Sequence, residues 1–146
     1  MIEVGILNKS PYELPKYAKI GDSGMDVHAN ITEPYTLKPF ERHLFPTGIY
    51  VEIPEGYEIQ VRSRSGLTLK QGLIVLNGIG TIDSGFRNEI GVILWNASGE
   101  DQIVSPGDRI AQFVLAKVEK AKWIEKNEID TNTDRALGGY GHTGKQ

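Results

Sequence analysis

The chain has 146 residues, a formal net charge of −3 and no cysteine. A chain of this length favours a single domain with a sizeable core, and the lack of cysteine excludes a disulfide scaffold, a thiolate zinc site and a cysteine nucleophile. The mild acidity argues against bulk binding of nucleic acid. No apolar run approaches the roughly 18 residues of a membrane span, and the first residues show no signal-peptide pattern. We therefore expect a cytoplasmic protein with neither nucleic acid nor membrane as a partner.

Apolar and polar residues alternate along several segments, and this period of two predicts β-strands. The alternating segments are residues 2–6, 49–53 and 57–62. The longer runs 90–95 and 110–118 have the composition of strands buried on both faces, and the amphipathic segment 117–128 is assigned as a further strand. Frequent prolines between these segments leave little room for long helices. The sequence thus predicts an all-β sandwich or barrel.

One short helix and a separate tail complete the predicted elements. Residues 65–72 predict one or two helical turns that begin at Ser65 as the N-cap and end before a glycine. Residues 131–146 are rich in glycine and poor in apolar side chains, so they cannot offset their own ordering entropy. We therefore divide the chain into a β-domain, residues 1–130, and a flexible tail, residues 131–146, that is ordered only where it docks.

Glycine is the most informative residue type in the composition. The chain has 17 glycines and 7 prolines, about a sixth of all residues and above the roughly 12% of average proteins. This excess has two explanations, which are tight turns between short strands and loops built around a ligand. Composition alone does not separate them, but five short stretches combine glycine with polar residues more densely than turns require.

The first and fourth of these stretches carry acidic and amide side chains. Residues 23–29 place Asp26 at a predicted strand start, where it is either a turn residue or part of a site. Residues 106–112 form a turn that enters a strand, and we interpret Asp108–Arg109 there as a structural ion pair. Gln112 is harder to explain structurally, because it is polar within an otherwise apolar run.

The second stretch, residues 62–67, lies where a predicted strand gives way to the predicted helix. Free N–H groups at a helix start, with an arginine beside them, can bind an anion. The alternative is a solvated basic turn. The residues that would form the anion site are Arg64, Ser65 and Gly66.

The third stretch, residues 77–87, contains three glycines within eight residues. Asp83 follows an aliphatic residue at a predicted hairpin tip, and Phe86 follows it. An acid beside an aromatic ring suits a general base next to a stacking platform. The alternative is a tight turn in which the aspartate forms only local hydrogen bonds.

The fifth stretch, residues 135–144, belongs to the tail. Residues 139–145 match the G-x-x-x-x-G-K core of a P-loop, but Gln146 stands where Ser or Thr should bind the metal and no helix follows. A flexible segment with Arg135 and Tyr140 remains, which is suited to closing over phosphates and stacking on a base. The alternative is a disordered tail. The three histidines show no spacing typical of a zinc site.

Taken in order, the five stretches closely resemble the five motifs of trimeric dUTP pyrophosphatases (dUTPases). The resemblance implies a distorted jelly-roll-like β-barrel or sandwich, a homotrimer, and active sites at subunit interfaces, with the C-terminal tail exchanged between subunits. It implies hydrolysis of dUTP to dUMP and pyrophosphate, which keeps uracil out of DNA and supplies dUMP for thymidylate synthesis. It also implies Mg²⁺ held by the triphosphate and by waters rather than directly by protein.

The resemblance also implies a role for each matching residue. Asp83 would deprotonate the attacking water, and Phe86 would pack on the deoxyribose, where a 2′-hydroxyl would clash. A hairpin would read the uracil edge through Asn77, Gly80, Thr81 and Ile82.

The phosphates and the metal are assigned to the other motifs by the same resemblance. Arg64, Ser65 and Gly66 would hold the phosphates, with Ser65 beside the oxygen between the α and β positions. Asp26 and Gln112 would act through ordered waters around Mg²⁺. The tail of another subunit would close the site through Arg135, Tyr140, Gly141, His142 and Thr143.

The sequence departs from the usual family pattern at five positions. Phe86 and Tyr140 exchange one aromatic ring for another, so stacking is expected to survive. Asn88 and Ala136 replace glycines, and His142 replaces a serine that would contact phosphate.

Two other functions remain open from the sequence. A dCTP deaminase on the same fold resembles the chain around Asp83, but Ile93 occupies the position of that family's catalytic glutamate, and an alkyl chain cannot shuttle protons. A non-catalytic nucleotide-binding or protein-interaction module is the second alternative. The retention of Asp83, Ser65, Arg64 and Arg135 together argues against it.

Overall fold

A computed structural model describes residues 1–141 and 144 of the chain. Over these residues the chain forms eleven β-strands and one short α-helix, as the all-β prediction requires. In chain order the elements are β1 (Gly5–Asn8), β2 (Met25–His28), β3 (Tyr35–Leu37), β4 (Arg42–Pro46), β5 (Ile49–Glu52), β6 (Tyr57–Arg62), α1 (Ser65–Gln71), β7 (Leu73–Val75), β8 (Ile79–Ile82), β9 (Gly91–Asn96), β10 (Gln102–Val104) and β11 (Arg109–Lys117).

The strands form four antiparallel sheets rather than one closed barrel. The largest sheet has the strand order β2-β11-β6-β8, and the next has the order β4-β9-β7. Strand β1 pairs with β5, and β10 pairs with β3. Buried residues of all four sheets belong to one hydrophobic core, with Phe113 and Phe45 among its largest side chains. Within the described part of the chain, no helix has the length and apolar composition needed to cross a membrane.

Alternation correctly predicted β5 and β6, because each buries one face only, but no strand was predicted at β3, β4, β7 or β10. Strands β5 and β6 match the alternating segments closely, whereas β1 begins three residues later than its predicted segment. The expectation that β9 is buried on both faces is wrong. Its burial alternates, with Val92, Leu94 and Asn96 buried and the side chains between them half-buried.

The structure also corrects the predicted start of the helix and the prediction of a strand after β11. Helix α1 is present and ends at Gln71, followed as expected by Gly72, which is in the left-handed conformation; its N-cap, however, is Arg64, and Ser65 is its first helical residue. Arg64 is the last non-helical residue, with an extended backbone (φ −93°, ψ 124°), so the helix starts one residue earlier than predicted. The predicted strand 117–128 does not form. After Lys117 the chain leaves the sheet, and residues 119–137 are exposed.

Asn96 joins three backbone segments in the core and has no exposed surface. Its side-chain nitrogen donates to the carbonyl oxygens of Leu37 (2.9 Å) and Glu100 (2.7 Å). Its side-chain oxygen accepts from the backbone N–H of Ser98 (2.9 Å) and from the Ser98 hydroxyl (2.7 Å). Every hydrogen-bonding group of this buried amide is therefore used.

Replacement of Asn96 by leucine, which has a similar volume, is expected to destabilise the fold by about 3 kcal/mol, since it leaves buried backbone groups without partners. For a chain of this size that corresponds to a fall in Tm of about 6–12 °C. Thermal unfolding of the variant and the wild type at the same protein concentration measures this fall in Tm. Asn88→Leu is the control, because Asn88 is exposed and its one side-chain hydrogen bond among residues 1–141 and 144 is accepted from the N–H of its neighbour Glu89. Equal Tm values for the two variants would contradict this account of Asn96.

Candidate functional site

Strand β11 brings three of the five stretches to one end of the largest sheet. Its register places Gln112 opposite Asp26 on β2 and opposite Arg62 on β6. Because β6 runs directly into the turn before α1, Arg64 and Ser65 lie at the same end. Residues from the first, second and fourth stretches therefore meet within one chain.

Asp26 is held between two arginines. Its carboxylate accepts from Nε of Arg64 at 2.8 Å and from Nη1 of Arg109 at 3.2 Å, and Arg64 also donates to the backbone carbonyl of Arg109 at 3.1 Å. The interpretation of Asp108–Arg109 as an ion pair is wrong. The Asp108 carboxylate instead accepts from the N–H of Ser105 (2.8 Å) and closes its own turn. The group of Asp26, Arg64 and Arg109 by itself therefore has a net positive charge.

Gln112 is positioned from both sides. Its side-chain nitrogen donates to the carbonyl oxygen of Ser63 at 2.9 Å, which leaves its oxygen as an acceptor. A Cβ at Gly24 would lie 2.1 Å from that oxygen, so a larger residue at this position would force the Gln112 amide to move. Sequence reasoning did not single out Ser63 or Gly24. Gly24 carried a usable signal, since it directly precedes the strand that contains Asp26.

A cavity of about 290 Å³ adjoins this group. Asp26 and Gln112 line it together with the segment before β2, of which only the part from Ser23 onward belongs to the first stretch. That segment contains a turn in which the Asp22 carboxylate accepts from the N–H of Lys19 at 2.8 Å. The full lining is Lys16, Ala18, Asp22, Ser23, Gly24, Asp26 and Gln112.

The beginning of α1 presents backbone donors to solvent. Ser65 and Gly66 are exposed, and the first intrahelical hydrogen bond runs from the N–H of Thr68 to the carbonyl of Arg64. The N–H groups of the preceding helical residues have no partner inside the helix. A Cβ at Gly66 would meet no atom within 4 Å, so the approach to these donors is open.

The third stretch does not form the predicted hairpin. Strand β7 pairs with β9, and β8 pairs with β6, so the two strands flanking Asn77 lie in different sheets. A tight turn joins them, closed by a hydrogen bond from the N–H of Gly78 to the carbonyl of Val75 (3.0 Å). Asn77 and Thr81 are exposed, Ile82 is half-buried and Gly80 is buried against Val61.

Asp83 and Phe86 occupy a second turn between the same two sheets. The N–H of Phe86 donates to the carbonyl of Asp83 at 3.0 Å, and both side chains are exposed. Register places this turn far from the charged group, because Ile82 lies opposite Ile59 whereas Ile79 lies opposite Arg62. At about 3.3 Å per residue, Asp83 is about 13 Å along the sheet from the level of Arg62. One chain alone does not bring Asp83 to Ser65.

The tail does not reach either region of its own chain. In its described part the hydrogen bonds are local, such as that from Nε of Arg135 to the carbonyl of Gly138 (3.2 Å). Tyr140 and Gly141 are exposed. The two remaining predicted tail residues, His142 and Thr143, lie outside the described residues.

The donor set suits a hydrated divalent cation rather than a protein cage. Across residues 1–141 and 144, no three His, Asp or Glu side chains come together as metal ligands. Both oxygens of Asp26 already accept from arginines, whereas Gln112 lines the cavity and, among the described residues, uses only its side-chain nitrogen, as a donor to Ser63. Mg²⁺ keeps several of its waters in proteins, so these two residues fit a metal held through water.

Comparison with known proteins identifies the family. The family model described as dUTPase matches residues 10–144 of the chain. The chain belongs to the dUTPase family. Relatives named deoxyuridine 5'-triphosphate nucleotidohydrolase include a Finegoldia magna protein, which is 52% identical over 98% of this chain and 99% of its own length. One from Chlamydia muridarum is 56% identical over 94% of each chain.

Solved structures of the dUTPase family share the fold. The Staphylococcus bacteriophage 80alpha dUTPase, described with dUPNHPP, superposes with a TM-score of 0.82 at 23% identity and covers 98% of this chain and 99% of its own. The dUTPase from phage phi11 of S. aureus gives a TM-score of 0.75 at 23% identity, over 88% of this chain and 99% of its own. These likenesses confirm the predicted jelly-roll-like β fold.

Proposed function

We propose that the chain hydrolyses dUTP to dUMP and pyrophosphate. Membership of the dUTPase family and the names of relatives that match nearly the whole chain support this. The observation that carries the proposal is the group around Asp26, where Arg64, Arg109 and Gln112 meet next to exposed helix-start donors. This arrangement has the charge and the hydrogen-bond donors that a triphosphate requires.

The phosphates bind at this end of the sheet in the proposed reaction. Arg64 supplies a charge that is always present, and the hydroxyl and N–H of Ser65 and the N–H of Gly66 supply directed donors. Ser65 acts beside the oxygen that links the α- and β-phosphates. Donors at that position stabilise the charge that develops on the leaving pyrophosphate, so they accelerate the reaction more than they tighten binding of the substrate.

Asp83 activates the water that attacks the α-phosphorus. Water is a weak nucleophile at neutral pH, and a carboxylate within hydrogen-bond distance removes its proton as the new P–O bond forms. The exposed carboxylate of Asp83 is accessible to such a water. Phe86, which is 38% exposed, packs on the deoxyribose and disfavours a ribose 2′-hydroxyl.

The turn that replaces the predicted hairpin reads the base. Asn77 and the backbone from Gly80 to Ile82 offer hydrogen-bonding groups to the uracil edge. The tight approach of this backbone leaves little space for the methyl group of thymine. Gly80 contributes because a Cβ there would lie 3.2 Å from the Asn77 side-chain nitrogen and 3.0 Å from Cβ of Val61.

The complete site requires more than one chain. Because Asp83 lies about 13 Å along the sheet from the level of Arg62, at the end where Ser65 begins the helix, a second copy supplies the water-activating turn, and the exposed tail of a further copy closes the site. Arg135 binds the γ-phosphate and Tyr140 stacks on the uracil, with Gly141, His142 and Thr143 as further contacts. A homotrimer with one such site per interface satisfies these requirements through closed symmetry.

Mg²⁺ is the proposed cofactor. A mutant of the phage phi11 dUTPase is described with a structural Mg(II) ion. In this chain Asp26 and Gln112 would hold the ion through its waters; the oxygen of Gln112, which is left as an acceptor because the nitrogen donates to Ser63, supports this role. When bound with the triphosphate, the ion would neutralise phosphate charge. The same reaction in the cytoplasm would remove dUTP before it enters DNA and would supply dUMP for thymidylate synthesis.

The test of this function is release of pyrophosphate from dUTP, dCTP, UTP and dTTP in parallel reactions. We expect rapid release from dUTP only, and loss of that release in Asp83→Asn. Ammonia release from dCTP would instead support a deaminase, which the half-buried Ile93 on β9 disfavours. Absence of dUTP turnover in the wild type would contradict the proposal.

Replacement of Asp26 by asparagine is expected to lower kcat/KM for dUTP about 10–100-fold and to shift the Mg²⁺ dependence to higher concentration. The amide would place an N–H₂ group against an arginine donor and would remove the charge that orients both guanidinium groups. The Asp26 pairs are part-exposed, so the stability loss should stay near 1 kcal/mol.

The matched control for that variant is Asp101→Asn, which changes an exposed aspartate in the loop before β10. Steady-state kinetics over a Mg²⁺ titration measure both effects. Wild-type kcat/KM and an unshifted Mg²⁺ midpoint in Asp26→Asn would rule out the role given to this residue.

A further inference from the structure

The side chain of Arg87 folds back onto the turn that carries Asp83 and Phe86. Its Nη1 atom donates to the carbonyl oxygens of Ser84 (2.7 Å) and Phe86 (2.9 Å). The same turn is closed by the hydrogen bond from the N–H of Phe86 to the carbonyl of Asp83. One guanidinium group thus bridges two successive parts of this turn.

Little else in one chain holds the turn in place. It joins β8 in the largest sheet to β9 in a different sheet, so it has no strand partner of its own. Among the described residues, no side-chain hydrogen bond or ion pair to the Asp83 carboxylate is formed, and Gly85 lies in the middle of the turn. Glycine increases the number of conformations open to a backbone. The bonds from Arg87 are charge-assisted and therefore stronger than neutral ones.

We propose that Arg87 is a positioning residue that fixes the Asp83 carboxylate and the Phe86 ring relative to each other. The proposal rests on the hydrolytic function given above. Arg87 acts through the backbone carbonyls of the turn and not through contact with the substrate. Both the rate of water attack and the preference for deoxyribose therefore depend on it.

Substitutions at this position can be accommodated without steric conflict. Arg87 lines a cavity of about 410 Å³ with residues of β1 and β5, including Ile6, Tyr50 and Glu52. Methionine keeps much of the length of the side chain and removes every donor. Lysine keeps the charge and several donors on one nitrogen, but its ammonium group is carried on a flexible stem and is less preorganised than the guanidinium for the two carbonyls.

The kinetic test compares Arg87→Met and Arg87→Lys with the control Arg42→Met, which changes an exposed arginine on β4. For Arg87→Met we expect kcat with dUTP to fall about tenfold, KM to change less than threefold, and the preference for dUTP over UTP to decrease. Arg87→Lys should lie between this variant and the wild type. A raised KM at unchanged kcat would show direct substrate binding and overturn the proposal, as would an unchanged preference for dUTP over UTP.

A second measurement does not depend on activity. Hydrogen–deuterium exchange of a peptide spanning residues 83–88 reports the N–H of Phe86, which donates within the turn. Exchange should be several-fold faster in Arg87→Met and unchanged in Arg42→Met. Equal exchange in Arg87→Met and the wild type would overturn the proposal. If the wild type does not hydrolyse dUTP, the proposed function fails, while the exchange rates still report whether Arg87 holds the turn.

Discussion

Asp83→Asn is expected to lower the turnover number for dUTP about a thousandfold, the middle of the range that a general base contributes. The amide has nearly the same shape as the carboxylate but cannot accept the proton of the attacking water. Binding should change little, because Asp83 is assigned no contact with the phosphates. Single-turnover hydrolysis and binding of a non-hydrolysable dUTP analogue measure the two effects separately.

The control for this substitution is again Asp101→Asn, an exposed aspartate outside the five stretches. Its turnover should equal that of the wild type. Retention of more than a third of wild-type turnover in Asp83→Asn would show that another group activates the water. The proposed hydrolysis itself would then survive, with a different base.

Removal of residues 131–146 is expected to lower kcat/KM for dUTP about 100–1,000-fold. The deletion removes a charge-assisted arginine contact with phosphate and an aromatic stacking contact with the base, which is worth about 1–3 kcal/mol. The described tail residues make only local hydrogen bonds, so the Tm of the shortened chain should match that of the full chain.

Point substitutions separate the contributions of Arg135 and Tyr140 to the effect of that deletion. Arg135→Gln should weaken binding of dUTP more than binding of dUMP, because only dUTP has a γ-phosphate, and Tyr140→Ala should weaken both. Lys122→Ala is the control, since it removes an exposed cation from the segment between β11 and the tail. Full activity of the shortened chain would show that the tail takes no part in the reaction.

The alternation of apolar and polar residues is a local signal, and it predicted individual strands without information on which strands pair. Strands β5 and β6 show clear alternation, because each buries one face on the core. The hairpin expected around Asn77 failed for a different reason. Gly78 does form a tight turn, but a turn signal does not say which strands pair, and here β8 joins β6 while β7 joins β9.

The contacts within the candidate site also depend on strand pairing between segments that are far apart in the sequence. The chain places Asp26 against Arg109 through the register of β2 and β11, across 83 residues of sequence. The sequence suggested the nearer partner, Asp108, since adjacency was the only geometric information available. The close approach of Gly24 to Gln112 was likewise invisible before the strands were aligned. Residue types were therefore predictable, whereas their contacts were not.

A mixed-trimer experiment tests most directly whether each active site takes Asp83 from one chain and Ser65 from another, as the proposed function requires. Asp83→Asn and Ser65→Ala chains are each expected to have low activity alone. The two variants are unfolded, mixed in equal amounts and refolded, so that they assemble at random into closed trimers. If every site takes the two residues from different chains, about a quarter of the sites then contain both native residues. We predict recovery of about a quarter of wild-type pyrophosphate release from dUTP. Activity no higher than the average of the two separate variants would contradict a shared site.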